Sequence, residues 1–150
     1  MVQLKQIHKN VQLLLLGRSQ DHIQRVIDRY LPDHITFFTS NSLWKEAENL
    51  VRLIEEQGIP TNIIQVDPFD SNAIQTVKSA MENEFHHLQH QYPSENFQYY
   101  IGLTGGTNLM VLGAGFAAST LKTRAHYVLN PEFLEIADDD HVVEIDIQVA

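Results

Sequence analysis

The sequence predicts an α/β fold of three layers, helices on both faces of a mostly parallel sheet, closed by a C-terminal β-hairpin. Two observations carry that expectation. Short apolar runs rich in β-branched and aromatic residues alternate with stretches whose apolar residues recur every three or four positions, and such alternation builds βαβ units. The first run, Val11-Gln12-Leu13-Leu14-Leu15-Leu16-Gly17, is almost continuously apolar, the pattern of a strand buried on both faces. With 150 residues, 43% of them hydrophobic, the chain is expected to form one domain over residues 1–150 with a sizeable core.

Composition narrows the function classes. Cysteine is absent, which excludes disulfides, thiolate metal sites and cysteine nucleophiles and fits a reducing, cytoplasmic setting. A formal net charge of −9 argues against binding long nucleic acid or an anionic membrane, both of which need many Lys and Arg contacts. It leaves room for a small anion held by backbone amides. Met1 to Asn10 lacks the apolar core of a signal peptide. The longest apolar run, Leu109 to Ala118, is too short to span a bilayer.

The elements follow in order. After the strand Val11–Gly17, Ser19 or Asp21 is placed to cap a helix carrying Ile23, Val26, Ile27 and Tyr30, which Pro32 ends. His34 to Thr39 is the second strand. Ser40-Asn41-Ser42 is a polar loop that caps a helix with Leu43, Ala47, Leu50, Val51 and Ile54, closed at Gly58. Thr61 to Val66 is the third strand. Asp67 to Ser71 is a loop before a long amphipathic helix from Asn72 to His90, with Ile74, Val77, Met81, Phe85 and Leu88 on one face. Phe97 to Leu103 is the fourth strand, Asn108 to Leu121 a helix, and Ala125 to Leu129 the fifth strand. Phe133–Ile136 and Val142–Ile147 then read as the closing hairpin, its last strand alternating as on a sheet edge. The first three βα units are expected to build outward from strand one, and the fourth strand to return on its other side. The gap between strands one and four is then a topological switch point, as in Rossmann-like folds.

Two loops open at that gap, Gly17-Arg18-Ser19-Gln20-Asp21 and Thr104-Gly105-Gly106-Thr107-Asn108. The second joins a strand to a helix through two glycines. A helix N-terminus presents backbone N–H groups without intrahelical partners, and the helix dipole adds positive charge there, so the corner suits an anion. Thr107 is placed as N-cap, and Thr104 offers a second hydroxyl. The familiar dinucleotide, P-loop and nucleophile-elbow motifs are missing from both loops. His86 and His90 stand four apart on one helix, a spacing open to metal, but no acidic third ligand accompanies them, and a solvated surface is the simpler reading. Asp138-Asp139-Asp140-His141 reads as a charged turn. No catalytic residue, metal or cofactor is expected.

Thr104-Gly105-Gly106-Thr107-Asn108-Leu109-Met110 resembles the T-G-G-T-K-x-M signature of CRISPR-associated Rossmann-fold (CARF) domains. The resemblance extends to the apolar first strand and its polar loop, to Thr39-Ser40-Asn41-Ser42, to Val66-Asp67-Pro68 and to the closing hairpin. It implies a homodimer that senses cyclic oligoadenylate, most often the tetra-adenylate, and controls an attached effector or membrane segment absent from this chain. The ligand-binding residues it implies are Gly17, Arg18, Ser19, Gln20, Ser40, Asn41, Thr104, Gly105, Gly106, Thr107, Asn108 and Met110. Two positions depart from the family pattern. The lysine after T-G-G-T is Asn108, and the residue two before Thr104, often Asn or Asp, is Gly102. Loss of the lysine charge weakens a ring-nuclease reading, with Ser19 and Thr107 as positioning groups, more than a binding one. A generic mononucleotide- or phosphosugar-binding domain is the alternative outside the family. The nearly all-round apolar helix after the motif is expected to bury more than one side, the second against a two-fold partner.

Overall fold

The structure is a computed structural model and describes residues 8–67, 69–129 and 141–147. The elements run β1 (Asn10–Leu15), α1 (Asp21–Tyr30), β2 (His34–Thr39), a 3-10 turn (Asn41–Leu43), α2 (Trp44–Glu56), β3 (Thr61–Gln65), α3 (Ala73–Leu88), β4 (Gln98–Gly102), α4 (Asn108–Leu121), β5 (Arg124–Val128) and β6 (Val142–Ile145). The sheet order is β3-β2-β1-β4-β5-β6. Strands β1 to β5 are parallel, and β6 runs antiparallel to β5 with Val128 opposite Val142 and Ala125 opposite Ile145. The sheet therefore reverses between β1 and β4, as the chain order predicted.

Alternation along β1 builds both layers. Val11, Leu13 and Leu15 point toward α3 and α4, where they meet Val77, Met81, Ala114 and Ala118. Leu14 and Leu16 point the other way, into a cluster with Ile23, Val26 and Ile27 of α1 and Ala47 and Ile54 of α2. A central strand covered by helices on both faces has no wet side, which is why its sequence reads as one apolar run. Its two polar residues are also buried and are linked side chain to side chain. Asn10 Nδ2 donates to the Tyr30 carbonyl at 2.8 Å, Gln12 Nε2 donates to Asn10 Oδ1 at 2.9 Å, and His126 Nε2 lies 2.7 Å from Gln12 Oε1.

On the other face, Thr36 Oγ1 donates to the buried Glu84 of α3 at 2.7 Å, and His34 Nε2 lies 2.8 Å from the same hydroxyl. The Thr36 proton is committed to Glu84, so His34 Nε2 is the donor in that pair.

Helix α4 packs on the sheet and on α3. A Cβ at Gly113 would stand 2.5 Å from the Ile74 carbonyl oxygen, so only glycine lets the two helices approach this closely. The second buried side of α4 is thus supplied by α3 within the chain, not by a partner as expected. A third side remains open, with Leu112 and Phe116 50% and 53% exposed and Leu109 beside them.

Local details differ from expectation at the caps and at the C-terminus. Neither Ser19 nor Asp21 caps α1: the N-cap falls on Gln20, whose carbonyl accepts from Ile23 N–H, and Asp21 opens the first turn, where its charge suits the dipole. Residue Ser40 starts a 3-10 turn instead of capping α2 directly. The antiparallel partner observed for β6 is β5. The expected hairpin strand Phe133–Ile136 and the Asp138–Asp140 turn lie outside the described residues. No described helix is long and apolar enough to cross a membrane.

Candidate functional site

The carboxyl ends of β1, β2 and β3 are pinned to one level before their loops depart. Leu16 N–H donates to the Phe38 carbonyl at 3.0 Å, Thr39 Oγ1 donates to the Leu16 carbonyl at 2.9 Å, and Val66 N–H donates to the Thr39 carbonyl at 2.8 Å. Beyond β4, Leu103 N–H donates to the His126 carbonyl and Thr104 Oγ1 accepts from Val128 N–H at 2.7 Å. The glycine corner then begins. Gly105 and Gly106 both have positive φ, +85° and +73°, a region that side chains with a Cβ rarely enter. Thr107 has extended backbone and its hydroxyl accepts from Met110 N–H at 3.3 Å, the N-cap the sequence predicted.

The first loop packs backbone to backbone on this corner. A Cβ at Gly17 would stand 2.6 Å from Gly106 N. The two glycine-marked strand ends therefore meet, as the strand order requires. Between them lies a cavity of about 380 Å³, near the small end of the roughly 300–1,000 Å³ typical of small-molecule sites. Gly17, Arg18, Ser19 and Ser40 line it from the β1 and β2 loops, and Gly105, Gly106, Thr107 and Met110 from the corner and α4.

The other four expected ligand residues do not line it. Gln20 sits at the start of α1, Asn41 and Asn108 are exposed beyond the rim, and Thr104 is engaged with Val128. Four lining residues were not among those named from the sequence: Leu16, Ser42, Leu43 and Phe69. The β2 loop carried the signal for two of them, since Ser42 and Leu43 follow Ser40 directly. Phe69 had none beyond its place in a strand-end loop.

Behind the corner stands a histidine of α1 that was not among the residues named from the sequence. A Cβ at Gly105 would lie 3.0 Å from His22 Cε1 and 3.1 Å from the Leu15 carbonyl oxygen. His22 is buried and its Nε2 has no hydrogen-bond partner among the described residues. Burial pushes its pKa down, opposed by a hydrogen bond to the Leu15 backbone and by the Asp21 charge. The ring supports Gly105 from beneath and does not line the cavity. Among the described residues lining the cavity, Arg18 is the one ionisable side chain, and it is exposed. Anion affinity must then come from Arg18, hydroxyls and backbone amides. The exposed His86, His87 and His90 lie on or just beyond α3, and no group of three or more metal-ligating side chains occurs among the described residues.

Neither a protein-family model nor a curated protein matches the sequence. Solved structures do. Csm6 of Enterococcus italicus, bound to cyclic hexa-2'-fluoro-hexa-dAMP, superposes with a TM-score of 0.76 at 15% identity, over 93% of this chain and 42% of its own. Can2 of Sulfobacillus thermosulfidooxidans, in complex with cyclic tetra-adenylate, gives 0.60 at 17% identity over 80% of this chain and 32% of its own. A type III CRISPR defence DNA nuclease activated by cyclic oligoadenylate gives 0.66 at 16% identity over 81% of this chain and 19% of its own. The chain thus spans less than half the length of each. What they share with it is the Rossmann-like α/β fold, a mixed sheet of six mostly parallel strands with flanking helices.

Proposed function

We propose that the chain is a CARF-type sensor domain that binds cyclic oligoadenylate, the tetra-adenylate by preference, across a homodimer. Ligand binding then controls an effector or membrane segment outside this chain. One observation carries the reading: the Gly17 loop and the Gly105–Gly106 corner converge on one cavity at the switch point of a fold shared with proteins solved with cyclic oligoadenylates. The corner's amides and the α4 N-terminus supply the phosphate site. Arg18 and Ser19 close over it from the opposite loop.

A cavity of about 380 Å³ is small for a ring of four nucleotides. Two such cavities facing each other about a two-fold axis would share the ring, each half of the ligand meeting the same residues. The stripe Leu109, Leu112 and Phe116, on the open side of the helix that begins at the corner, is the surface we assign to that contact. Binding then shifts the protomers only in so far as the ring favours one arrangement of them. Ring cleavage is less supported. Asn108 carries no charge and does not line the cavity, and His22, the histidine packed against the corner, is buried behind it.

Calorimetric titration with cyclic tetra-adenylate, with cyclic hexa-adenylate as control and chromatography of the recovered ligand, tests the reading. One intact ring per two chains is the expected result. A linear product would make the chain a ring nuclease. Failure of the folded protein to bind either ring would overturn the assignment. Phe116→Glu should convert the dimer to monomer by light scattering and weaken ring binding at least tenfold.

A further inference from the structure

The cavity is lined by residues of two kinds. One is polar: Gly105, Gly106, Thr107, Gly17 and Ser19. The other is apolar: Leu16, Leu43, Met110 and Phe69. Phe69 is 79% exposed, far more than any other large hydrophobic side chain among the described residues. A single exposed apolar residue needs no explanation. This one borders a cavity, and its backbone is held. Asp67 Oδ1 accepts from Phe69 N–H at 3.0 Å and from Asp70 N–H at 3.2 Å. Asp70 Oδ1 in turn accepts from Asn72 N–H at 2.9 Å, and the Asp70 carbonyl accepts from Ala73 N–H at the first turn of α3. The loop is thus braced from β3 to α3, and an unpacked aromatic ring is carried on the brace.

Met110 brings the apolar lining against the polar corner. A Cβ at Gly106 would lie 3.1 Å from Met110 Sδ and 3.2 Å from its Cε, so the thioether sits directly against the anion corner. Thioether sulfur packs well against an aromatic ring. A ligand that satisfies both kinds of lining carries an anionic group and a flat, π-faced group. That is the chemistry of a nucleotide, and the lack of carboxylates or a second cation in the lining leaves stacking and hydroxyls as the means of holding its base.

We infer that the apolar lining is a nucleobase subsite and that Phe69 is its stacking platform, a specificity-determining residue absent from the T-G-G-T motif. The inference rests on the proposed nucleotide-sensing function. The Ser40 and Ser42 hydroxyls, 2.9 Å apart on the β2 loop, are placed to read the base edge.

The test is calorimetric titration of the full chain with cyclic tetra-adenylate in wild type, Phe69→Ala, Phe69→Leu and Phe69→Tyr, with light scattering and thermal melting of each. Base–aromatic stacking is worth about 1–3 kcal/mol per base, so Phe69→Ala should weaken binding by about fivefold to a hundredfold. Phe69→Tyr, which keeps the ring, should stay within about threefold of wild type. Phe69→Leu, which keeps apolar bulk without a π-face, should fall with Phe69→Ala. Melting temperature and oligomeric state should not change, because the ring is exposed. Wild type that binds the ring with Phe69→Ala binding equally well overturns the inference alone. Full affinity in Phe69→Leu reduces Phe69 to apolar cover and overturns stacking. Dissociation of the dimer in Phe69→Ala would make it a protomer contact and overturn the inference. Wild type that binds neither ring overturns the function and the subsite together.

Discussion

The chain holds two polar regions a few residues apart on the same strands, and they are built by opposite means. The crevice at the carboxyl ends of β1 and β4 is made from backbone. Gly17, Gly105 and Gly106 bring main-chain amides to an open cavity. The region inside the sheet, Asn10–Gln12–His126, is made from side chains and is closed. Tyr30 seals it, its ring 5.3 Å from His126 and its hydroxyl donating to Glu144 at 3.0 Å. The buried region constrains β4, the strand that leads into the open one. A Cβ at Gly102 would lie 2.8 Å from Leu14 Cδ2 and 3.1 Å from His126 Cε1. The residue that departs from the CARF pattern at position 102 is therefore a glycine because His126 and Leu14 take up the space a side chain would need. Binding should depend on the first region and stability on the second, and each can be broken separately.

The largest effect is expected at Gly17. A methyl group there would stand 2.6 Å from Gly106 N, against backbone that has no rotamer to yield. The first loop must lift off the corner, which opens the cavity wall. Gly17→Ala is expected to weaken cyclic tetra-adenylate binding by about a hundredfold and to lower stability by about 1–3 kcal/mol, the usual range for overpacking. Titration together with urea unfolding measures both. An unchanged affinity would show that the contact between the two loops does not shape the site.

The second effect should reverse that pattern. Gln12 spends its Nε2 on Asn10, so its Oε1 must accept, and His126 Nε2 is the donor. His126→Leu orphans the buried Gln12 carbonyl and should lower stability by about 1–3 kcal/mol while leaving ligand affinity within about threefold. It should also change the acid limb. Burial, joined by the charges of Arg29 and His22, pushes His126 down to about 3 from 6.5. The unfolded chain takes up a proton near 6.5 and the folded chain only near 3, so the unfolded state binds more protons in between. Stability from this residue is full above pH 6.5 and is lost as pH falls from 6.5 toward 3. Between pH 8 and pH 5 the wild type should lose about 2 kcal/mol through His126. His22 and His34, both lowered chiefly by burial, add in the same direction. His126→Leu should flatten that slope, and urea unfolding at the two pH values shows whether it does.

The two regions also differ in how far the sequence reveals them. The crevice was legible because its parts are local. Glycines mark where strands turn into helices, and the order of βα units fixes which strand ends meet. Arg18, Ser19 and Thr107 could thus be named without coordinates, and Ser40 through the family resemblance. The side-chain region was not legible. Gln12 and His126 are 114 residues apart, and each looks like an ordinary polar interruption of a strand. Phe69 and His22 were missed for a related reason. Phe69 lies in a loop with no periodicity, and His22 is a polar residue in the first turn of a helix with nothing local to mark it as buried. The open face of α4 was half legible: composition showed more than one buried side, but not that α3 would supply the second.

Thr104 lies between the two regions and gives the smallest and most discriminating effect. Its place in the T-G-G-T motif assigns it to the ligand, yet its Oγ1 accepts from Val128 N–H at 2.7 Å and it does not line the cavity. Its hydroxyl ties β5, the strand of His126, to the loop that carries Gly105. Thr104→Val keeps the shape and removes that acceptor, leaving a half-buried N–H without it. Stability should fall by about 1 kcal/mol, and ring affinity should stay within about threefold because no ligand contact is lost. A tenfold loss of affinity with unchanged stability would instead return Thr104 to the ligand-binding set, and the boundary between the two regions would then pass through β5 rather than through the Thr104 hydroxyl.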